Sequence, residues 1–249
     1  MKIGFIGCGN MATAMLKGIL KSGEVKNADM IASAKSDKTR EKIEKELGIQ
    51  KADINAQVVD FADVVFLAVK PQFLEEVLDE IKDNVKEGQI FISIAPGKTL
   101  QWLGEHLGEG TKIIRTMPNT PAMVGEGMTA LCVNEQVTEQ ETLLAVTLCN
   151  TFGKTEVIPE HLMDAVVGVS GSSPAYVFMF LEAMADAAVA DGMPRAQAYK
   201  FAAQAVLGSA KLMQETGKHP GELKDMVCSP AGTTIQAVSV LEAKGLRSA

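Results

Sequence analysis

The sequence predicts an α/β domain built on a parallel sheet, followed by an all-helical domain. Three observations carry this. Short β-like runs alternate with helical stretches up to about residue 158. Several of these runs, such as Asp63-Val64-Val65-Phe66-Leu67-Ala68-Val69, are apolar on both faces, as a sheet covered by helices on both sides requires. After about residue 159 the β signal disappears. The expected domains are therefore 1–158 and 159–249, a division that 249 residues allow at ~100–200 residues per domain.

In chain order, the expected strands are Lys2–Ile6, Met30–Ser33, Val64–Val69, Ile90–Ile94, Lys112–Thr116 and Thr129–Val133. A further strand candidate lies near Asp53. The helices between them are Met11–Ser22, Lys38–Leu47, Pro71–Val85 and Leu100–Leu107, with Glu139–Thr151 after the last strand. Strand–helix alternation implies parallel strands joined by right-handed crossovers. The later helices are Ala175–Ala190, Arg195–Glu215, Gly221–Val227 and Thr233–Lys244. Ser173-Pro174 suits a helix start, and Gly192 and Gly217 suit helix ends. Val177, Phe180, Leu181, Met184, Ala187 and Ala188 form a stripe too broad for one wet face. Other helices must cover it, from this chain or from a second subunit.

Composition removes several classes of function. There are 31 Asp and Glu against 24 Lys and Arg, a formal charge of −7. Nucleic acid is therefore an unexpected partner, because phosphate backbones need a basic surface. Cys8, Cys132, Cys149 and Cys228 lie far apart, as do His106, His161 and His219, so no His/Cys metal spacing is present and no metal is expected. Met1–Asn10 does not read as a secretory signal. The uncharged run Ala165–Leu181 contains Pro174 and is followed by Glu182, so it reads as buried structure rather than a membrane span. A cytoplasmic protein with reduced thiols is expected.

The clearest motif is Gly7-Cys8-Gly9-Asn10-Met11-Ala12, a GxGxxA directly after an apolar strand and opening a helix. The first Gly permits the tight turn, the second admits a pyrophosphate, and the small third residue allows close packing. This is a Rossmann-like dinucleotide site. An NAD site usually places a carboxylate at the end of the next strand; here stand Ser33, Ala34, Lys35 and Ser36. A lysine and two hydroxyls attract a 2′-phosphate, which favours NADPH with NADH as the alternative, although Lys35 reads equally as a solvated turn lysine. Lys70-Pro71 ends the strongest strand, where open α/β sheets bind ligands, but Lys70 reads equally as a surface lysine. Asn55, taken alone, reads as a helix cap. Met117-Pro118-Asn119-Thr120-Pro121 is a stiff loop suited to a wall beside the nicotinamide. Arg115, on a strand, reads as structurally paired.

Taken with Ala68-Val69-Lys70-Pro71, Arg115–Ala122, Gly171–Ala188, Gly192–Ala202 and His219–Val238, the motif makes the whole chain resemble bacterial pyrroline-5-carboxylate reductases. The resemblance implies reduction of 1-pyrroline-5-carboxylate to L-proline with NADPH or NADH, the last step of proline biosynthesis, in an N-terminal Rossmann-like domain followed by an all-α dimerisation domain. By position, the cofactor would meet Ile6, Gly7, Cys8, Gly9, Asn10, Met11, Ser33, Lys35, Ser36, Asn55, Ala68, Val69, Lys70, Pro71 and the backbone of Ala95. The substrate would meet Ser172, Ser173 and the loop Ser229-Pro230-Ala231-Gly232-Thr233-Thr234, which matches the family's SPGGTT. Loop N–H groups at a helix start suit its carboxylate. Thr234 and Glu160 are the expected catalytic residues: Thr234 binds the ring nitrogen, and Glu160 stabilises the cation. A homodimer is the implied minimal unit, with a ring of dimers as a larger form.

Two departures stand out. Ala231 replaces a family Gly, which is costly if φ is positive. The chain stops at Ala249, where relatives usually continue into a further helix, an absence expected to weaken the dimer. The competing readings are a hydroxyacid dehydrogenase and a non-catalytic NADPH sensor. The dehydrogenase needs a helix lysine, and Gly168–Arg195 has none.

Overall fold

The computed structural model describes residues 1–248; Ala249, with the expectation attached to the chain's end, lies outside them. Two compact units divide the chain, Met1–Ala175 and Tyr176–Ala249.

The first unit carries one sheet. Its strands are β1 (Ile3–Ile6), β2 (Met30–Ser33), β3 (Gln50–Ala52), β4 (Val64–Leu67), β5 (Ile90–Ser93), β6 (Lys112–Met117), β7 (Gly127–Val133) and β8 (Gly153–Val157). Their spatial order is β3-β2-β1-β4-β5-β6-β7-β8. Strands β1 to β6 are mutually parallel. The all-parallel expectation fails at β7, which runs antiparallel to β6 and has β8 parallel beside it. The reason is the link: only a short 3₁₀ turn, Thr120–Val124, joins β6 to β7, and a parallel return needs a crossover of a dozen or more residues.

Helices α1 (Asn10–Ser22), α2 (Asp37–Leu47), α3 (Asn55–Phe61), α4 (Pro71–Ile81), α5 (Leu100–Leu107) and α6 (Glu139–Asn150) cover the sheet. One apolar core, with Met15, Leu16, Ile19 and Leu148, fills one face. A second, with Val58, Leu74, Leu78 and Leu103, fills the other. This explains why β1, β2, β4 and β5 are buried at every position. Phe5 and Phe66 stack between neighbouring strands, 4.4 Å apart. The sheet ends at Val157, but the compact unit runs on to Ala175. Helix α7 (Met163–Val166) accounts for part of this, since its Met163 packs with Ala130 and Cys132.

A π-turn, Val167–Gly171, leads into α8 (Ser173–Ala190). The second unit holds the rest of α8 and α9 (Arg195–Thr216), α10 (Pro220–Val227) and α11 (Thr233–Ala243). Gly217 ends α9 in the left-handed conformation, as its position suggests. The expectation that 165–181 is buried is not met within one chain. Along α8 only Ala185 is buried, and Phe178 and Met179 are 65% and 68% exposed. The stretch Glu160–Ala190 is long and apolar enough to cross a membrane by length and composition.

Candidate active site

Chain order reverses between β1 and β4, so the carboxyl ends of these strands form the switch point where open α/β sheets take ligands. Gly7 leaves β1 at φ +94°, and its N–H donates to the Ser33 carbonyl at 3.2 Å. A Cβ at Gly7 would stand 2.7 Å from the Ala68 carbonyl oxygen. Gly9 differs: its φ is −76°, and a Cβ there would meet nothing within 4 Å. Asn10 and Met11 open α1, whose first turn carries no acidic residue. As the first residues of a helix, their N–H groups have no intrahelical acceptor. Cys8 is buried, with Sγ 3.9 Å from Thr13 Oγ1, and burial pushes its thiol pKa up. It lines the turn as a buried thiol.

Ile6, Ser33 and Leu67 stand in register across the three central strands, which brings Gly7, the β2 end and Ala68 to one edge. Asn55 reaches the same edge, but it does not cap α3; Ile54 holds that position. Ser33 Oγ donates to Asn55 Oδ1 at 2.6 Å, and Asn55 Nδ2 donates to Glu80 Oε2 at 2.7 Å. Glu80 thus enters this edge from α4, a placement no local sequence signal announces. Lys35 Nζ lies 5.1 Å from the centre of the Phe73 ring, a cation–π contact with α4. Ser36 caps α2, its Oγ accepting from Thr39 N at 3.2 Å. Lys70 precedes Pro71, the first residue of α4. Val69 lies within reach of a Cβ at Gly7, and Ala95 N donates to Ser93 Oγ at 3.3 Å.

A cavity of about 360 Å³ opens between Cys8, Gly9, Asn10 and α2. Lys38, Lys42 and Lys45 line its α2 wall. Sequence reasoning missed these cations, although their i, i+4, i+7 spacing marks one helix face. Lys45 pairs with Glu41 at 3.0 Å and Lys42 with Glu46 at 4.0 Å.

Glu160 follows the sheet. Its Oε1 accepts from Arg115 Nη1 at 2.9 Å and from Leu100 N at 2.8 Å. Arg115 is therefore paired, as expected, and its partner is Glu160. Ser172 ends the π-turn and Ser173 begins α8.

In the second unit, Ser229–Gly232 forms the loop before α11, and Thr233 and Thr234 open the helix. Gly232 N donates to Ser229 O at 3.1 Å, and Gly232 precedes Thr233 and Thr234 in the first turn of α11. A Cβ at Gly232 would fall 2.4 Å from Ser229 Oγ, a hydroxyl that can rotate away, and 3.1 Å from Ser229 O. Ala231 has φ +60°, the one non-glycine in the left-handed region among the described residues. The alanine adopts the conformation that favours Gly and stores the strain. Among the described residues no group of three or more His, Cys, Asp or Glu could hold a metal.

The chain is 54% identical over its whole length to the pyrroline-5-carboxylate reductase of Escherichia coli (strain K12), covering 92% of that protein. It belongs to the pyrroline-5-carboxylate reductase family. Residues 160–249 match the family model for pyrroline-5-carboxylate reductase dimerisation, and residues 2–97 match that of an F420-dependent NADP oxidoreductase. The family structure from Coxiella burnetii superposes with a TM-score of 0.92 at 35% identity, covering 99% of this chain and 92% of that one. The Plasmodium falciparum pyrroline carboxylate reductase with NADP bound gives 0.88 at 30% identity, covering 99% and 91%.

Proposed function

We propose that this chain reduces 1-pyrroline-5-carboxylate to L-proline with NADPH, accepting NADH less well. Family membership over the full chain is the observation that carries the reading. The glycine turn fits the cofactor: Gly9 leaves room for a pyrophosphate, and the first turn of α1 carries no acidic residue. Ile6 to Met11, Ser33, Lys35, Ser36, Asn55, Ala68 to Pro71 and Ala95 would hold it. The absence of a carboxylate from Ser33 to Ser36, together with Lys35 within that stretch and Lys38 on the cavity wall, supports a 2′-phosphate.

The substrate is a cyclic imine, whose protonated form accepts hydride far more readily than a neutral ketone does. When bound, the reduced nicotinamide supplies that hydride to the imine carbon. The chain therefore has to hold the ring and keep its nitrogen protonated. Backbone N–H groups of Ser229 and Thr233 hold the carboxylate at the start of α11, while Gly232, whose own N–H donates to Ser229 O, shapes the turn. The Thr234 hydroxyl hydrogen-bonds the ring nitrogen; Ser172 and Ser173 are assigned to the substrate, and the charge of Glu160 favours the cation. A hydroxyacid dehydrogenase is disfavoured, because α8 offers no lysine as a proton donor.

Residues 159–249 form the substrate-binding and dimerisation domain of a homodimer, and a ring of dimers is the larger assembly to test. The exposed apolar face of α8 and α9 supports burial against a second copy rather than in lipid. Four free cysteines support a reducing, cytoplasmic setting. No nucleic acid or membrane is needed as a partner.

The test is to mix the purified protein with NADPH and 1-pyrroline-5-carboxylate and follow loss of the reduced-nicotinamide absorbance, with NADH in parallel. Imine-dependent loss, faster with NADPH, is expected. Thr234→Ala should lower turnover about a hundredfold and leave NADPH binding intact. No imine-dependent loss from protein that still binds NADPH would overturn the activity.

A further inference from the structure

We infer that Asn119 is a positioning residue that fixes the turn carrying Ser172 and Ser173. The reason begins with Pro174. In an uninterrupted helix the Ser170 carbonyl would accept from the N–H of residue 174, but proline has no N–H, and its ring crowds the carbonyl four residues back. The chain answers by widening: Ser172 N donates to Val167 O at 2.8 Å, the five-residue spacing of the π-turn. Ser170 O is left without a helical donor. Asn119 Nδ2 supplies one from the Met117–Pro121 loop, at 3.0 Å. Its other end is held as well, because Asn119 Oδ1 accepts from Met128 N on β7 at 2.8 Å. Asn119 is only 9% exposed, so the amide has both partners inside the protein and no solvent competes. Gly171 brings the same loop close: a Cβ there would stand 3.0 Å from the flexible end of Met117, Cε.

The parts fit one purpose. Pro118 and Pro121 stiffen the loop that presents Asn119, and Pro174 creates the orphan carbonyl that Asn119 satisfies. A straight helix through residue 170 would aim Ser172 and Ser173 differently, and the amide bridge holds the widened form in place. This inference rests on the proposal that these two serines line the imine site.

Asn119→Asp tests it. The carboxylate keeps the acceptor for Met128 N but removes the donor and turns an oxygen toward the Ser170 carbonyl. The expected result is a KM for 1-pyrroline-5-carboxylate raised about tenfold and a kcat lowered about tenfold, with the NADPH dissociation constant within twofold of the parent. Loss of folded enzyme alone would lower kcat and leave KM unmoved. Pro174→Ala is the companion, since its N–H offers Ser170 the ordinary helical partner and frees Asn119. That variant should be at least as stable as the parent and show the same rise in KM. Constants within twofold of the parent in both variants, or in the one that folds, would overturn the inference. Ser172→Ala and Ser173→Ala are run alongside. If they change nothing, the serine site itself is misassigned; if they raise KM while Asn119→Asp does not, the site stands and the positioning role falls.

Discussion

Arg115 and Glu160 form an ion pair at 2.9 Å, and the same carboxylate oxygen accepts the N–H of Leu100, the first residue of α5. One side chain thus ties β6, α5 and the segment that leaves the sheet. The Arg115 side chain is 8% exposed and that of Glu160 32%, so the pair lies between a surface pair and a buried one. Arg115→Met should cost about 2 kcal/mol by urea unfolding, since it strands a half-buried carboxylate. Glu160→Gln keeps an acceptor for both donors and should cost about 1 kcal/mol. Its turnover should fall about tenfold, because the charge is lost while Arg115 has already screened part of it. Turnover matching the parent would leave Glu160 as a structural tie alone.

The two turn glycines should fail in different ways. Gly7→Ala meets both a positive φ and the Ala68 carbonyl, so it should lower stability by about 3 kcal/mol and abolish NADPH binding. Gly9→Ala meets open space, so its melting temperature should match the parent's while the methyl obstructs the pyrophosphate. Calorimetric titration with NADPH separates them; tight binding by Gly9→Ala would remove the cofactor from this turn.

Ala231→Gly should raise stability. Left-handed backbone costs an alanine about 1–2 kcal/mol, and the greater freedom of glycine in the unfolded chain returns about 0.4–1 of that. A gain of about 0.5–1 kcal/mol, or roughly 2 °C in Tm, is expected, with kcat within twofold. A lower Tm would mean that the alanine methyl makes a contact outweighing its strain.

Burial pushes the Cys149 thiol from 9.0 up to about 12 and that of Cys132 up to about 11, the latter with help from the charge of Glu160. In the unfolded chain these thiols ionise from about pH 9, so the folded state binds more protons above that point. Their contribution is complete below pH 9 and is lost as pH climbs toward 11 and 12, at about 1.4 kcal/mol per unit for each thiol. Thermal melts between pH 8.5 and 10 should fall steeply for the parent and less steeply for Cys149→Ala. Parallel slopes would refute the assignment.

Phe178 on α8 and Phe201 on α9 are 65% and 67% exposed in the single chain. A glutamate at either should not destabilise an isolated monomer, but it should split a homodimer by burying an unpaired charge. Light scattering should give a dimer or a multiple of one for the parent and a monomer for Phe201→Glu. An unchanged mass would place the interface elsewhere.

Much of this was legible because the signals are local. An apolar strand, a glycine turn and a helix start fall within twelve residues at Ile3–Ala14, so β1, the turn and α1 declare themselves together. Strand β8 does not, because Gly153-Lys154-Thr155-Glu156-Val157 is mostly polar and lies at the sheet edge, where one side stays wet. The antiparallel run of β7 was encoded in a link too short for a crossover helix. Arg115 reads as paired from its strand position, but Glu160, 45 residues away, is fixed only by the fold. The same holds for Glu80 beside Asn55 and for Ser170 beside Asn119.

With β8 the sheet is complete at Val157, before α8 to α11 have been synthesised. On the ribosome the sheet can therefore form while the later helices are still unmade. Refolding in vitro should then show two clocks, an early one set by the sheet and indifferent to protein concentration, and a later one that quickens as chains are crowded together. The interval between them is when α8 and α9 expose their aromatic faces, and when the nascent enzyme most needs a chaperone or a sibling chain.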